Sequence, residues 1–111
     1  MSCVLGTHRY LTETRKDVLG VWLARLNDNR ARARVLSRLN RLSVGSLGDC
    51  KPLREGVWEL RIDYGPGYRV YYSDVDRASI LLLCGGDKHT QLGDIARAVR
   101  YLLDYKQRST P

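Results

Sequence analysis

The sequence predicts a compact α+β domain in which helices pack on an antiparallel sheet. Three observations carry that expectation. Strand-like alternation runs from Val57 to Tyr72 across a Gly65-Pro66-Gly67 turn, a continuous apolar run follows from Ile80 to Cys84, and helical periodicity brackets both. At 111 residues and 43% apolar content, the chain has the size of one domain and enough apolar matter for a core without disulfide or metal staples. No repeat, low-complexity tract or linker divides it, so one domain over residues 1–111 is expected.

The elements follow in order. Thr7 to Leu11 reads as a short extended start. Val18, Leu19, Trp22, Leu23 and Leu26 then recur at helical spacing until Asn27-Asp28-Asn29 interrupts them, which predicts a first helix and a turn. From Arg30 to about Leu42, an apolar stripe of Val35, Leu36, Leu39 and Leu42 is flanked by Arg30, Arg34, Arg38 and Arg41 at the same period. These two segments predict an N-terminal helical hairpin whose second helix has a basic edge. Gly45, Gly48 and Pro52 mark a loop.

Beyond the loop, Trp58, Leu60, Ile62 and Tyr64 alternate with Val57, Glu59, Arg61 and Asp63, the period of a half-exposed strand. On the return strand Tyr68, Val70 and Tyr72 alternate with Arg69 and Tyr71, and a polar turn is expected from Ser73 to Arg77. The run Ile80 to Cys84 does not alternate, which predicts an inner strand covered on both faces. After Gly85-Gly86-Asp87-Lys88-His89-Thr90 comes a C-terminal helix, with Leu92, Ile95, Ala96, Val99, Leu102 and Leu103 as its stripe, Thr90 as its cap and Asp94 in its first turn.

Nineteen basic residues against twelve acidic ones give a formal charge of +7, most of it from arginine, whose planar fork suits phosphate. An anionic partner is implied: nucleic acid, an acidic protein or an anionic membrane surface. Cys3, Cys50 and Cys84 are odd in number and far apart, without metal or redox spacing, and read as reduced thiols. The first residues lack the apolar run of a signal peptide, and no segment approaches the roughly twenty apolar residues of a membrane span. A cytoplasmic protein with no membrane association is expected.

If Trp58, Leu60 and Ile62 face the core, then Glu59, Arg61 and Asp63 face away from it, joined by Arg69 and Tyr71 of the partner strand and by Lys88 and His89 at the end of the next one. RNA cleavage needs a group that takes the proton of the ribose 2′-hydroxyl, cations that hold the charge of the phosphorane, and an acid for the leaving 5′-oxygen. This set contains a candidate for each role. The same residues also fit the solvated face of an antiparallel sheet decorated with cross-strand ion pairs. His8 and His89 are too far apart in sequence to suggest a metal site, and the glycine spacing matches neither a P-loop nor a dinucleotide-binding turn, so neither metal nor cofactor is expected.

The run Trp58-Glu-Leu-Arg-Ile-Asp-Tyr-Gly-Pro-Gly-Tyr-Arg-Val-Tyr-Tyr72, followed by Ile80 to Gln91 and a terminal amphipathic helix, resembles the RelE/ParE superfamily of toxin–antitoxin toxins. It is most similar to the HigB-like, phage-derived addiction module killer branch, from about Tyr10 to Tyr105. The resemblance implies a microbial-ribonuclease-like fold and a type II toxin that cleaves mRNA on the ribosome, without metal, and is neutralised by a cognate antitoxin, a helix-turn-helix protein. It casts Arg69 as the phosphate-binding arginine, Arg61 and Lys88 as further cations, and Glu59 as a base or a partner of Arg61. His89 is the first choice for the acid, in place of the family's tyrosine, or of its histidines and aspartate. Arg30, Arg34, Arg38, Arg41 and Tyr71 become the nucleic-acid contacts. The superfamily also contains ParE, so gyrase inhibition is an alternative, as is a noncatalytic relative that binds RNA or antitoxin.

Overall fold

A computed structural model describes residues 6–46, 48–76 and 79–109. Five strands form one mixed sheet, in the order β1-β5-β4-β3-β2: β1 Gly6–Arg9, β2 Cys50–Pro52, β3 Trp58–Ile62, β4 Tyr68–Asp76 and β5 Ser79–Asp87. Three α-helices accompany it: α1 Val18–Arg25, α2 Asn29–Ser43 and α3 Gln91–Ser109, the last preceded by a 3-10 turn at Lys88–Thr90. The sheet is not wholly antiparallel as expected, because β1 runs parallel to β5.

The local signals act as the residue types dictate. Asp17 caps α1 by accepting from the Gly20 N–H at 3.0 Å, and Asp28 caps α2 by accepting from the N–H groups of Arg30 and Ala31. Arg32 donates from Nε to the Leu23 carbonyl at 3.0 Å and from Nη2 to the Leu26 carbonyl, so α2 supplies partners for the open C-terminal end of α1. The two helices take separate seats on one face of the sheet: α1 packs on β5 and α2 on β3.

That face holds one core, in which Leu19, Leu23, Val35, Leu39 and Leu42 meet Leu60, Ile62, Val70, Tyr72, Ile80 and Leu82. The opposite face holds a second, in which Val57, Tyr71, Leu81, Leu83 and Cys84 are covered by Ala98 and Leu102 of α3. Strand β5 lies between β1 and β4 and is buried on both sides, as its unbroken apolar run requires.

Four local expectations change. Cys50 to Pro52, expected as loop, pairs with β3 as a short edge strand, where a proline is tolerated. Strand β4 continues through Ser73 to Asp76 where a turn was expected, while Arg77 of that turn and Cys3 lie outside the described residues. Capping at the start of the C-terminal segment falls to Asp87, whose carboxylate accepts from the N–H groups of His89 and Thr90. Gly85 and Gly86 are strand residues rather than an exit from the sheet; one lets the Trp22 indole approach and the other the Asp94 carboxylate.

Candidate active site

The hairpin β3–β4 pairs Glu59 with Tyr71 and Arg61 with Arg69 in register, so these four side chains share the α3 face of the sheet. They do not share an environment. Glu59 and Tyr71 are fully buried beneath the start of α3, which overturns the expectation that they would face solvent as a base and a nucleic-acid contact. The physical reason is that α3 needs an apolar seat, and Val57, Leu81 and Leu83 beside Glu59 and Tyr71 provide it. Farther along the hairpin, beyond the end of α3, Arg61 and Arg69 are only partly covered and Asp63 is exposed.

A cleft of about 410 Å³ opens around the hairpin tip, lined by Asp49, Arg61, Ile62, Asp63, Gly65, Pro66, Gly67, Tyr68, Arg69 and Lys88. Three of the five residues expected to act in chemistry, Arg61, Arg69 and Lys88, therefore line one cavity. His89 does not line it. It stands exposed on the 3-10 turn in an adjoining depression of about 670 Å³, with Lys88 forming the wall common to both.

Each arginine of the cross-strand pair has its own carboxylate. Arg61 donates from Nη2 to Asp49 Oδ1 at 2.9 Å, and this exposed pair lifts the guanidinium further above its already high range. Arg69 Nε lies 3.3 Å from Glu59 Oε2, an ionic contact without hydrogen-bond alignment, and Arg69 Nη1 reaches the Gly67 carbonyl at 3.4 Å. Glu59 Oε2 also accepts from Gln91 Nε2 at 2.8 Å. The sequence expectation of a Glu59–Arg61 pair is thus replaced by Glu59–Arg69. Burial, and then the charges of Glu59 and Asp94, push the Tyr71 phenol up, so it stays protonated at neutral pH.

Two lining residues were not anticipated. Asp49 sits in the loop before β2, and nothing in the pattern distinguished it. Tyr68, assigned to the core by alternation, does pack against it, and in the first register pair after the turn, opposite Ile62, it is partly exposed and also lines the cleft. Its ring packs edge-on against Trp22, and its phenol is pushed up, first by burial and then by the charges of Asp28 and Asp87. Cys84 is buried and its thiol is pushed up to about 12 by desolvation, which leaves it without thiolate at neutral pH.

The arginine cleft continues past Ile62 and Asp63 into a groove of about 470 Å³ lined by Arg34, Arg38 and Arg41. Within that stripe the roles divide. Arg38 is half-buried and donates from Nη1 to the Arg61 carbonyl at 3.1 Å, tying α2 to β3, whereas Arg34 stacks over Tyr64 at 4.9 Å and remains exposed with Arg41. Arg30 is exposed at the first turn of α2 and lines neither cavity. Among the described residues, no group of three or more histidine, cysteine or acidic side chains is placed to hold a metal ion. No helix among them is long and apolar enough to cross a membrane.

Fold and site together define a class: an α+β domain with helices on both faces of a mixed sheet and an arginine-lined cleft at one hairpin tip. No family model matches the chain. It is 48% identical over 77 residues to an uncharacterized protein of Haemophilus influenzae, a match covering 69% of this chain and 78% of that one. At that identity and coverage the chain belongs to the same family as the Haemophilus protein.

Proposed function

We propose that the protein is the toxin of a type II toxin–antitoxin module and acts as a ribosome-dependent mRNA endoribonuclease in the cytoplasm. The observation that carries this proposal is the convergence of Arg61, Arg69 and Lys88 on one cleft that runs on into the Arg34–Arg41 groove. Three cations converging there suit a phosphodiester whose charge grows as the 2′-oxygen attacks phosphorus and the 5′-oxygen departs. The adjoining groove suits the flanking backbone of structured RNA, held through phosphate contacts. The resemblance of the hairpin to RelE/ParE toxins points the same way, and an antitoxin of the helix-turn-helix class is the expected partner.

Within this proposal Arg69 and Arg61 hold the scissile phosphate, Lys88 stabilises the developing charge, and the proton donor comes from Tyr68 inside the cleft or His89 across the Lys88 wall. The deciding experiment induces the protein in cells and follows translated mRNA and DNA supercoiling separately. Rapid cleavage of translated messages is expected. Intact messages together with gyrase-linked DNA damage would reject the nuclease and favour the ParE-like alternative.

A further inference from the structure

Glu59 and Asp94 are the buried acidic residues engaged by an arginine among the described ones, and of the two Glu59 is the poorly compensated one. Glu59 Oε1, Arg69 Nε and the Tyr71 hydroxyl are all buried without a hydrogen-bond partner. A buried ion pair of this kind contributes little net stability, because desolvation of both charges offsets their attraction, and well-packed apolar residues would serve a core at least as well. The pair nonetheless sits where it governs one side chain. Arg69 is 13% exposed, its Nε is drawn to the buried carboxylate, and the same residue lines the cleft. Gln91, the first residue of α3, donates to that carboxylate at 2.8 Å and fixes it from the other side.

We propose that Glu59 is a positioning residue: with Gln91 it holds the Arg69 guanidinium at the angle from which it meets the phosphate, and it exchanges no proton with substrate. This positioning role rests on Arg69 being the phosphate-holding arginine of the proposed nuclease. Arg61 faces Arg69 in register and would repel it, and two separate carboxylates, Asp49 and Glu59, draw the two guanidinium groups to their own sides of the cleft. Only the Glu59 anchor is buried, so only Arg69 is held from within the fold.

The test uses the full chain in three measurements on wild type, Glu59→Gln and Gln91→Leu: the NMR resonance of the Arg69 Nε–Hε group, binding of a 2′-O-methyl RNA hexanucleotide that cannot be cleaved, and single-turnover cleavage on mRNA-programmed ribosomes. Glu59→Gln should displace the Arg69 resonance, weaken hexanucleotide binding and slow cleavage roughly ten- to a hundredfold, the scale of a misplaced catalytic contact. Gln91→Leu should move all three the same way by less. In an Arg69→Ala background, Glu59→Gln should add nothing further, which separates positioning from a general loss of structure. An unchanged Arg69 resonance in both variants, or fully additive effects in the Arg69→Ala background, would overturn the proposal. If Glu59→Gln does not fold, Gln91→Leu decides by the same resonance. A wild type that binds the hexanucleotide but cleaves no message, while the variants still release Arg69, would remove the nuclease and leave the positioning role standing.

Discussion

The Asp94 carboxylate occupies the space that a side chain at residue 86 would need, and Gly86 is what admits it. Asp94 is buried there, bonded within its own segment by the Thr90 hydroxyl and by Arg97, and it is the close packing on Gly86 that seats the start of α3 against the end of β5. On the other face of the sheet Gly85 makes the same allowance for the Trp22 indole. Gly86→Ala and Gly85→Ala should each cost roughly 1–3 kcal/mol through overpacking, read as a lower urea midpoint at unchanged slope. Gly93→Ala is the control: nothing crowds that position on α3, and the substitution should add about 0.5–1 kcal/mol.

Tyr71→Phe should be neutral or slightly stabilising, within about 1 kcal/mol, because it removes a buried hydroxyl that has no hydrogen-bond partner among the described residues. RNA binding should be unchanged, since the phenol is sealed beneath α3 and cannot reach a ligand. A tenfold loss of binding in a fully folded Tyr71→Phe protein would return Tyr71 to the interface.

Much of this was legible in the sequence, and the misses have two causes. Each helix and the three main strands follow from periodicity; the hairpin register brings Arg61 and Arg69 into one cleft, and the pairing of β5 with β4 brings Lys88 to it. The burial of Glu59 and Tyr71 was also implied, because an inner strand covered on both faces needs a cover over Leu81 and Leu83, and its neighbours must lie under the same cover. Treating the charged face as open missed that consequence. What periodicity could not show is distance between elements: the bond from Gln91 to Glu59, and the edge pairing of Cys50–Pro52, depend on how separate segments dock.

Alkaline pH should destabilise the fold. Burial and the Asp104 carboxylate push the Tyr10 phenol up to about 12, and Tyr71 is displaced in the same direction, against about 10 in the unfolded chain. Below pH 10 both groups are protonated in either state and their contribution is complete. As pH rises from 10 towards 12 the unfolded chain loses those protons first, so stability falls. Urea midpoints across that interval should decline for wild type and decline less steeply for Tyr10→Phe; an equal slope would mean Tyr10 is not responsible.

The basic edge of α2 should separate into two classes. Arg34→Gln and Arg41→Gln should leave stability within about 0.5 kcal/mol of wild type, since both residues are exposed, while each lowers the salt slope of ribosome binding by about one. Arg38→Gln should instead cost about 1 kcal/mol, the worth of its bond to the Arg61 carbonyl. A salt slope of ribosome binding unchanged from wild type in Arg34→Gln and Arg41→Gln would remove RNA from this groove.

The donor to the leaving oxygen can be identified by substitution, because the two candidates line different cavities. The Tyr68 phenol is pushed up from its ordinary value by burial first, so it keeps its proton throughout the neutral range and an acid role there predicts cleavage that does not fall with rising pH in that range. Cavity lining favours Tyr68, which shares the cleft with Arg61, Arg69 and Lys88, whereas His89 lines only the depression beyond Lys88. Tyr68→Phe should therefore slow cleavage by about a hundredfold with binding retained, the scale of a lost general acid, and His89→Gln by less than about threefold. The opposite ranking would assign the proton to His89 and require the substrate to bridge Lys88 between the two cavities.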